Sequence, residues 1–405
     1  MILEYEGKKS EKEILNRHNP ITLKSISGNS KSPSKLIKGD NLAVLKYLLD
    51  NGFKGRVDLV YIDPPFATNN TFRISKEKAN SISRSNSDNL AYDDSLIGAE
   101  YLEFIRERLI LLRELLSDKG SIYFHIDYKI GHYIKVLMDE VFGKKNFVND
   151  IARIKCNPKN FSRKAFGNVK DMILFYSKTG NHIWNEPKEQ FSEDDIRKLF
   201  KKVDKYGRKY TTIPLHAPGE TKNGLTGQSW RGMMPPKGRH WRSSPNVLEE
   251  LDKLGLIEWS KNGVPRKKIY ADEKESKKMQ DIIEFKDLQN PIYPTEKNLD
   301  LLKLLINASS NKDSIVLDCF CGSGTTLKAA KDLGRKWIGI DQSEEAINVA
   351  LKKLKTPQKT LFMEEEFEYL EQINQPINRE KVIHYFESEQ QLKNKNSEDV
   401  VIIRY

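Results

Sequence analysis

Residues 57–66 read Val57-Asp58-Leu59-Val60-Tyr61-Ile62-Asp63-Pro64-Pro65-Phe66. The first six are rich in β-branched and aromatic residues and predict a strand. No strand runs through a Pro-Pro step, because two ladder donors vanish and φ is fixed twice. Asp63, preceding a proline, is held extended. The result is a rigid elbow at a strand's carboxyl end, where open α/β sheets place ligands. It presents the Asp63 carboxylate, bare backbone carbonyls and the face of Phe66. Those parts suit holding an exocyclic amino group on a flat ring. An isolated Asp-Pro-Pro is more often an ordinary turn, so the reading needs a second motif.

That motif is Ser314-Ile315-Val316-Leu317-Asp318-Cys319-Phe320-Cys321-Gly322-Ser323-Gly324-Thr325-Thr326. A buried-type strand enters a glycine turn, and then come a helical pattern over 327–333 and a strand over 336–340 that ends at Asp341. Glycines allow a sharp turn and close backbone approach to a ligand, and a carboxylate ending the next strand suits ribose hydroxyls. A nicotinamide or flavin site would need a third glycine at 327, which is Leu. The pattern G-x-x-x-x-G-K-[ST] is also missing. A nucleoside ligand without a pyrophosphate fits the turn, and S-adenosylmethionine answers that description.

With these two motifs the chain resembles the DNA amino-methyltransferases, whose hallmarks are F-x-G-x-G and [D/N/S]-P-P-[Y/F/W]. They stand here as Phe320-Cys321-Gly322-Ser323-Gly324 and Asp63-Pro64-Pro65-Phe66. The catalytic motif precedes the cofactor motif, as in the permuted β class. Gly39-Asp40-Asn41-Leu42 and Tyr293-Pro294-Thr295-Glu296-Lys297 also look like that class, with Glu296 where the family usually has Gln. The resemblance covers residues 36–180 and 286–350. It implies an α/β fold, a doubly wound mixed sheet of the S-adenosylmethionine-dependent methyltransferase (Rossmann-like) type, with an inserted target-recognition region. By the same resemblance Phe320, Gly322 and Gly324 line the cofactor and Asp341 holds its ribose. Asp40, Thr295 and Lys297 are further cofactor neighbours.

The 405 residues carry 68 Lys+Arg against 57 Asp+Glu, a net charge of +11 that suits a polyanion partner. Cys156, Cys319 and Cys321 have neither zinc spacing nor a partner pattern for disulfides, so a reducing cytoplasm is expected, and the resemblance implies a prokaryotic one. Cys319 and Cys321 read as small buried hydrophobes rather than reactive thiols. No metal is expected. No apolar run approaches the length of a membrane span, and no signal-type apolar region opens the chain.

The sequence divides into a loosely packed polar arm (1–35) and a catalytic half (36–180). After these come a target-recognition region (181–285), a cofactor-binding half (286–350) and an extension of unassigned role (351–405). Helices are expected near 42–49, 101–116 and 130–141, and strands near 36–40, 121–126, 151–154 and 172–176. The Asn/Ser-rich stretch 67–99 begins at the elbow and reads as a mobile flap over substrate. His125 reads as a satisfied histidine at a strand end.

Residues 153–170 hold six basic residues and no acid, and 201–245 hold ten Lys/Arg against Asp204 and Glu220. Within the latter, Trp230 to Arg242 interleaves cations with aromatics and glycines, which suits phosphate contact. Arg231, Lys237, Arg239 and Arg242 are expected to touch double-stranded DNA.

A target amine inside a duplex is reached only by flipping its base out. The resemblance then has Phe66 stack on the base while Asp63 and the Pro64 carbonyl accept from the amine. Asp before Pro-Pro is similar to the N6-adenine members, whereas Ser is the usual N4-cytosine variant. The rival readings are an N4-cytosine enzyme, a catalytically silent DNA-binding subunit with the same fold, and an RNA substrate. A cognate restriction endonuclease and a homodimer are the partners the resemblance suggests.

Overall fold

The computed structural model describes residues 2–17, 20–64, 98–158, 164–274, 276–293, 296–355 and 367–373, and the backbone of three short strands between 71 and 93. The chain divides into two compact units, one of Met1–Glu186 with Gln280–Tyr405, the other of Pro187–Met279.

The larger unit is built on a ten-stranded sheet. Its strands are β1 (Thr22–Gly28), β2 (Lys35–Lys38), β3 (Val57–Ile62), β4 (Leu116–Ile126), β5 (Phe147–Ile154), β6 (Lys170–Ser177), β7 (Ile282–Glu284), β8 (Ile315–Asp318), β9 (Lys336–Asp341) and β10 (Glu368–Ile373). Their spatial order is β1-β10-β2-β9-β8-β3-β4-β6-β5-β7. From β10 through β4 the neighbours are parallel; β1, and the β4-β6 and β6-β5 pairs, are antiparallel. The central strands are buried on both faces, so Val57, Leu59, Val60, Tyr61 and Ile62 all lie inside and no alternation shows in the sequence.

Helices α1 (Asn41–Leu48), α2 (Ala99–Leu115), α3 (Gly131–Met138), α4 (Leu299–Ser309), α5 (Thr325–Asp332) and α6 (Glu344–Leu354) supply the outer layers. Helix α5 lies very close to β9. A Cβ added at Gly339 would stand 2.2 Å from Leu327 Cδ1, so the strand must carry glycine where the helix crosses. No helix among the described residues is long and apolar enough to cross a membrane.

Both ends of the expected layout need correction. Residues 1–35 are not a loose arm: β1 joins the sheet beside β10, and Ile14 and Leu23 enter the core. Before it, the Tyr5 hydroxyl donates to Glu103 (2.6 Å), Lys9 Nζ to Glu107 (2.5 Å) and Lys8 Nζ to Glu140 (3.0 Å). Polar residues dock because Glu103 and Glu107 of α2, and Glu140 beyond α3, offer them charged, largely buried partners. Part of the 351–405 extension is equally structural, since β10 lies between β1 and β2 with Tyr369 and Leu370 buried. The acidic run 364–366 and residues 400–403 lie outside the described residues. Of the stretch read as a flap, the backbone forms antiparallel strands Thr71–Ile74, Ala79–Asn80 and Asn89–Asp93.

The smaller unit falls within the 181–285 region. A four-stranded antiparallel sheet joins Lys202–Val203, Lys209–Pro214, Pro265–Tyr270 and Ile257–Trp259. Beside it the unit has two strand pairs, His216–Pro218 with Arg239–Trp241 and Lys188–Gln190 with Ser276–Lys278, and the helices Glu193–Leu199 and Pro245–Lys253. Leu215, Trp230, Trp241, Leu248 and Ile257 form its core.

Replacing Gly339 by Ala forces the α5–β9 contact apart and is expected to destabilise the protein by about 1–3 kcal/mol. Urea denaturation checks this, and an unchanged midpoint would contradict the close approach.

Candidate active site

Parallel strands bring their carboxyl ends to one edge of the sheet, and four aspartates gather there. Asp318 and Asp341 end β8 and β9, while Asp63 and Asp40 come just after β3 and β2. Strand β8 lies directly between β3 and β9, so the elbow and the glycine turn are neighbours.

Asp63 is largely buried and ion-paired through Oδ2 to Lys297. Its other oxygen, Oδ1, is buried and has no hydrogen-bond partner among the described residues. An orphaned carboxylate oxygen is costly, and at a strand end facing a ligand edge it marks an acceptor waiting for a donor. Pro64 is buried behind it. Pro65, Phe66 and Thr295 lie outside the described residues. Lys297, expected beside the cofactor, pairs its ammonium with Asp63. The neighbouring Glu296 binds Lys353 of α6, which also donates to Ser323 Oγ (2.9 Å) and Thr325 Oγ1 (3.0 Å) of the glycine turn. The glutamate that departs from the family pattern therefore has its own local cation.

Gly322 and Gly324 have φ of +48° and +74°, which side chains with a Cβ rarely adopt. A Cβ at Gly324 would also meet Ala350 Cβ at 3.0 Å. The Gly322 N–H donates to Asp341 Oδ2 (2.8 Å) and the Ser343 N–H to Oδ1 (2.9 Å). Asp341 thus fixes the turn, with backbone N–H groups of Gly322, Gln342 and Ser343 on its carboxylate. The Tyr293 ring lies over Gly322, 3.7 Å from where a Cβ would be.

Phe320 packs near Phe104, with ring centres 6.0 Å apart, and the Arg108 guanidinium lies 3.5 Å from the centre of the Phe104 ring. Arg108 Nε donates to Asn41 Oδ1 (2.6 Å), and Asn41 Nδ2 donates to the Cys319 carbonyl (2.8 Å). Asp40 caps α1, accepting from the Ala43 N–H (2.9 Å), and lies 3.8 Å from Arg108.

Asp318 is the functional candidate that sequence reasoning passed over. It is buried and accepts from the Phe320 N–H (3.0 Å). Burial, with Asp63 and Asp341 adding like charge, pushes its carboxyl up to about 7. Burial also raises Asp341. Its signal was in the sequence: an acid closing an apolar strand before a glycine turn. Three carboxylates beside one glycine turn suit a ligand bearing positive charge.

Behind the elbow, the Tyr61 hydroxyl lies 2.8 Å from His125 Nδ1, and His125 Nε2 lies 3.3 Å from Asp171 Oδ2. Burial keeps the tyrosine protonated and pushes the imidazole down. All three groups are satisfied when the hydroxyl donates to Nδ1 and Nε2–H donates to Asp171. Lys155 closes the chain on Asp171 at 2.5 Å. His125 is a satisfied core histidine. Cys319 and Cys321 are buried thiols pushed far up by desolvation, not nucleophiles.

In the smaller unit, the four residues expected at DNA are not alike. The Arg231 guanidinium donates to Glu249 (2.7 and 2.8 Å) and pairs with Asp252 (2.7 Å). Arg239 lies 3.1 Å from His216 Nδ1, and Arg242 Nε donates to the Pro214 carbonyl (3.1 Å). Lys237 is exposed and makes no hydrogen bond or ion pair among the described residues.

A family model described as DNA methylase matches residues 57–352. The type II methyltransferase M.EcaI of Enterobacter cloacae is 42% identical over 362 residues, covering 87% of this chain and 77% of the relative. The Mod subunit of the type III restriction-modification enzyme StyLTI of Salmonella typhimurium is 29% identical, covering 77% of this chain and 52% of that protein. The chain thus spans about half the length of that subunit. The crystal structure of an M1.HpyAVI–SAM complex covers 80% of this chain and 99% of its own, with 18% identity and a TM-score of 0.43. The match of the family model across both motif-bearing halves, together with the M.EcaI likeness, shows that the chain belongs to the DNA methylase family.

Proposed function

We propose that this DNA methylase uses S-adenosylmethionine to methylate N6 of an adenine flipped out of duplex DNA, as the modification arm of a restriction-modification system. The observation that carries the reading is the buried Oδ1 of Asp63 at the end of β3, beside the glycine turn, with no partner among the described residues. The relatives, a type II methyltransferase and a type III Mod subunit, support the restriction-modification setting. Asp at the first position of the Pro-Pro motif favours adenine over cytosine.

The residues present fit the cofactor. Asp318 offers a carboxylate to a ligand that is cationic at its sulfonium and amino group, Asp341 would hold its ribose hydroxyls, and Phe320, Gly322, Gly324 and Tyr293 shape the turn that would hold it. When bound, the cofactor supplies an electrophilic methyl group on sulfur.

The chain's part is to orient the amine and take its proton. Lys297 occupies Asp63 Oδ2, which leaves Oδ1 to accept one amine hydrogen and the Pro64 carbonyl to accept the other. Both bonds draw the nitrogen lone pair out of ring conjugation, and orientation supplies much of the rate. No base is needed beforehand. Once the nitrogen has gained a methyl group it is acidic, and its surplus proton passes to Asp63 Oδ1.

Nucleoside mass spectrometry of DNA from cells expressing the chain should show N6-methyladenine, reduced about 100-fold or more by Asp63→Asn. N4-methylcytosine instead would overturn the choice of base. Asp318 gives a pH prediction. Its folded value of about 7 lies above the ordinary 3.8, so its contribution to stability is fully present below 3.8 and is lost as pH rises through about 7. A cationic ligand favours the ionised form and releases the proton. Cofactor affinity measured by calorimetry should therefore rise between about pH 6 and 8, and the Asp318→Asn variant should lose that rise. Equal pH dependence in both proteins would remove Asp318 from the cofactor site.

A further inference from the structure

The six arginines of the smaller unit fall into two sets. Arg208 is held by Asp272 (2.8 Å) and Glu273 (2.7 Å), Arg231 by Glu249 and Asp252, and Arg197 by Asp194 (2.7 Å). These pairs are internal to the unit. Arg239, Arg242 and Arg266 form the second set, with no carboxylate partner among the described residues.

All three converge on one short segment. Arg239 reaches His216 at 3.1 Å, and Arg242 donates to the carbonyl of Pro214 at 3.1 Å. Arg266 stands opposite Pro214 in the antiparallel pair and donates to the hydroxyl and the carbonyl of Thr212, each at 2.9 Å. Burial and the fields of these three arginines hold the His216 imidazole below its ordinary value, so it adds no compensating charge of either sign. Carbonyl and hydroxyl acceptors orient the guanidiniums without neutralising them. Gathering like charges is unfavourable unless an anion from outside completes the set, and acids are spent freely on cations elsewhere in the same unit. Guanidinium forks match phosphate oxygens in pairs.

We propose that Arg239, Arg242 and Arg266, gathered around Pro214–His216, form the surface with which the inserted unit grips the phosphodiester backbone of duplex DNA. The proposal rests on the DNA-methyltransferase reading and refines it. Arg266, which sequence reasoning left out, joins the contact surface, and Arg231 leaves it for an internal pairing role.

The test is fluorescence anisotropy of a labelled mixed-sequence duplex titrated with the full chain over a range of salt concentrations. Each neutral variant, Arg239→Gln, Arg242→Gln or Arg266→Gln, should lower the slope of log affinity against log salt by roughly 0.9, one phosphate contact. The triple variant should lose about three times that. Arg266→Lys, which keeps the charge, should restore most of the slope and serves as the check on folding, alongside retained cofactor binding by thermal shift. Arg231→Gln should lower Tm and leave the slope as in wild type. Unchanged slopes in the triple variant, or an equal loss in Arg231→Gln, would overturn the surface while leaving the methyltransferase reading intact. Stronger binding to an RNA duplex, or no binding of DNA by wild type, would instead bring down the DNA-substrate reading with it.

Discussion

The ion pair between Asp63 and Lys297 is the interaction on which the site depends. Three aspartates lie beside the glycine turn, and burial already pushes one of them, Asp318, up to about 7. In that company Asp63 must present one oxygen in a fixed direction. A lysine on Oδ2 achieves this, since it supplies a counter-charge and leaves Oδ1 with no partner among the described residues. Breaking such a buried pair from one side typically costs about 3–5 kcal/mol, so the geometry is firmly held. Glu296, next in the chain, binds Lys353, and Lys353 binds the glycine turn. Two adjacent residues of opposite charge thereby fasten one segment to both motifs.

The sheet explains how motifs far apart in the chain become one site. Strands β3 and β8 are parallel neighbours, with Val60 beside Leu317, so the Asp-Pro-Pro elbow leaving β3 must lie near the glycine turn leaving β8. Swapping which half comes first in the sequence changes no neighbour in the sheet. The permuted order is therefore a matter of connection and leaves the chemistry alone.

Much of this was legible in the sequence, because the decisive signals are local. The Pro-Pro step ends β3, the glycine turn separates β8 from α5, and apolar runs mark both strands. The features that escaped were set by distant partners. The arm before β1 is polar, and the carboxylates of α2 and Glu140 give those residues somewhere to dock. Strand β10 carries Glu368 and Glu371 and has no apolar alternation to announce a place in the main sheet. Arg231 lies in an inviting basic, aromatic stretch, yet Glu249 and Asp252, one helical turn apart, claim it. Lys297 sits in a segment that the resemblance associates with the cofactor, and only the fold shows that its ammonium reaches the Asp63 carboxylate.

The most direct measurement is the single-turnover rate of methyl transfer to duplex DNA by wild type, Lys297→Met and Lys297→Arg, with cofactor affinity measured on each. If Lys297 orients Asp63, the Met variant should lose about 10- to 100-fold in rate at saturating cofactor, with cofactor affinity little changed and partial recovery in Arg. A Met variant that transfers at the wild-type rate once saturated, and is impaired only in holding cofactor, would contradict the account and return Lys297 to the cofactor site.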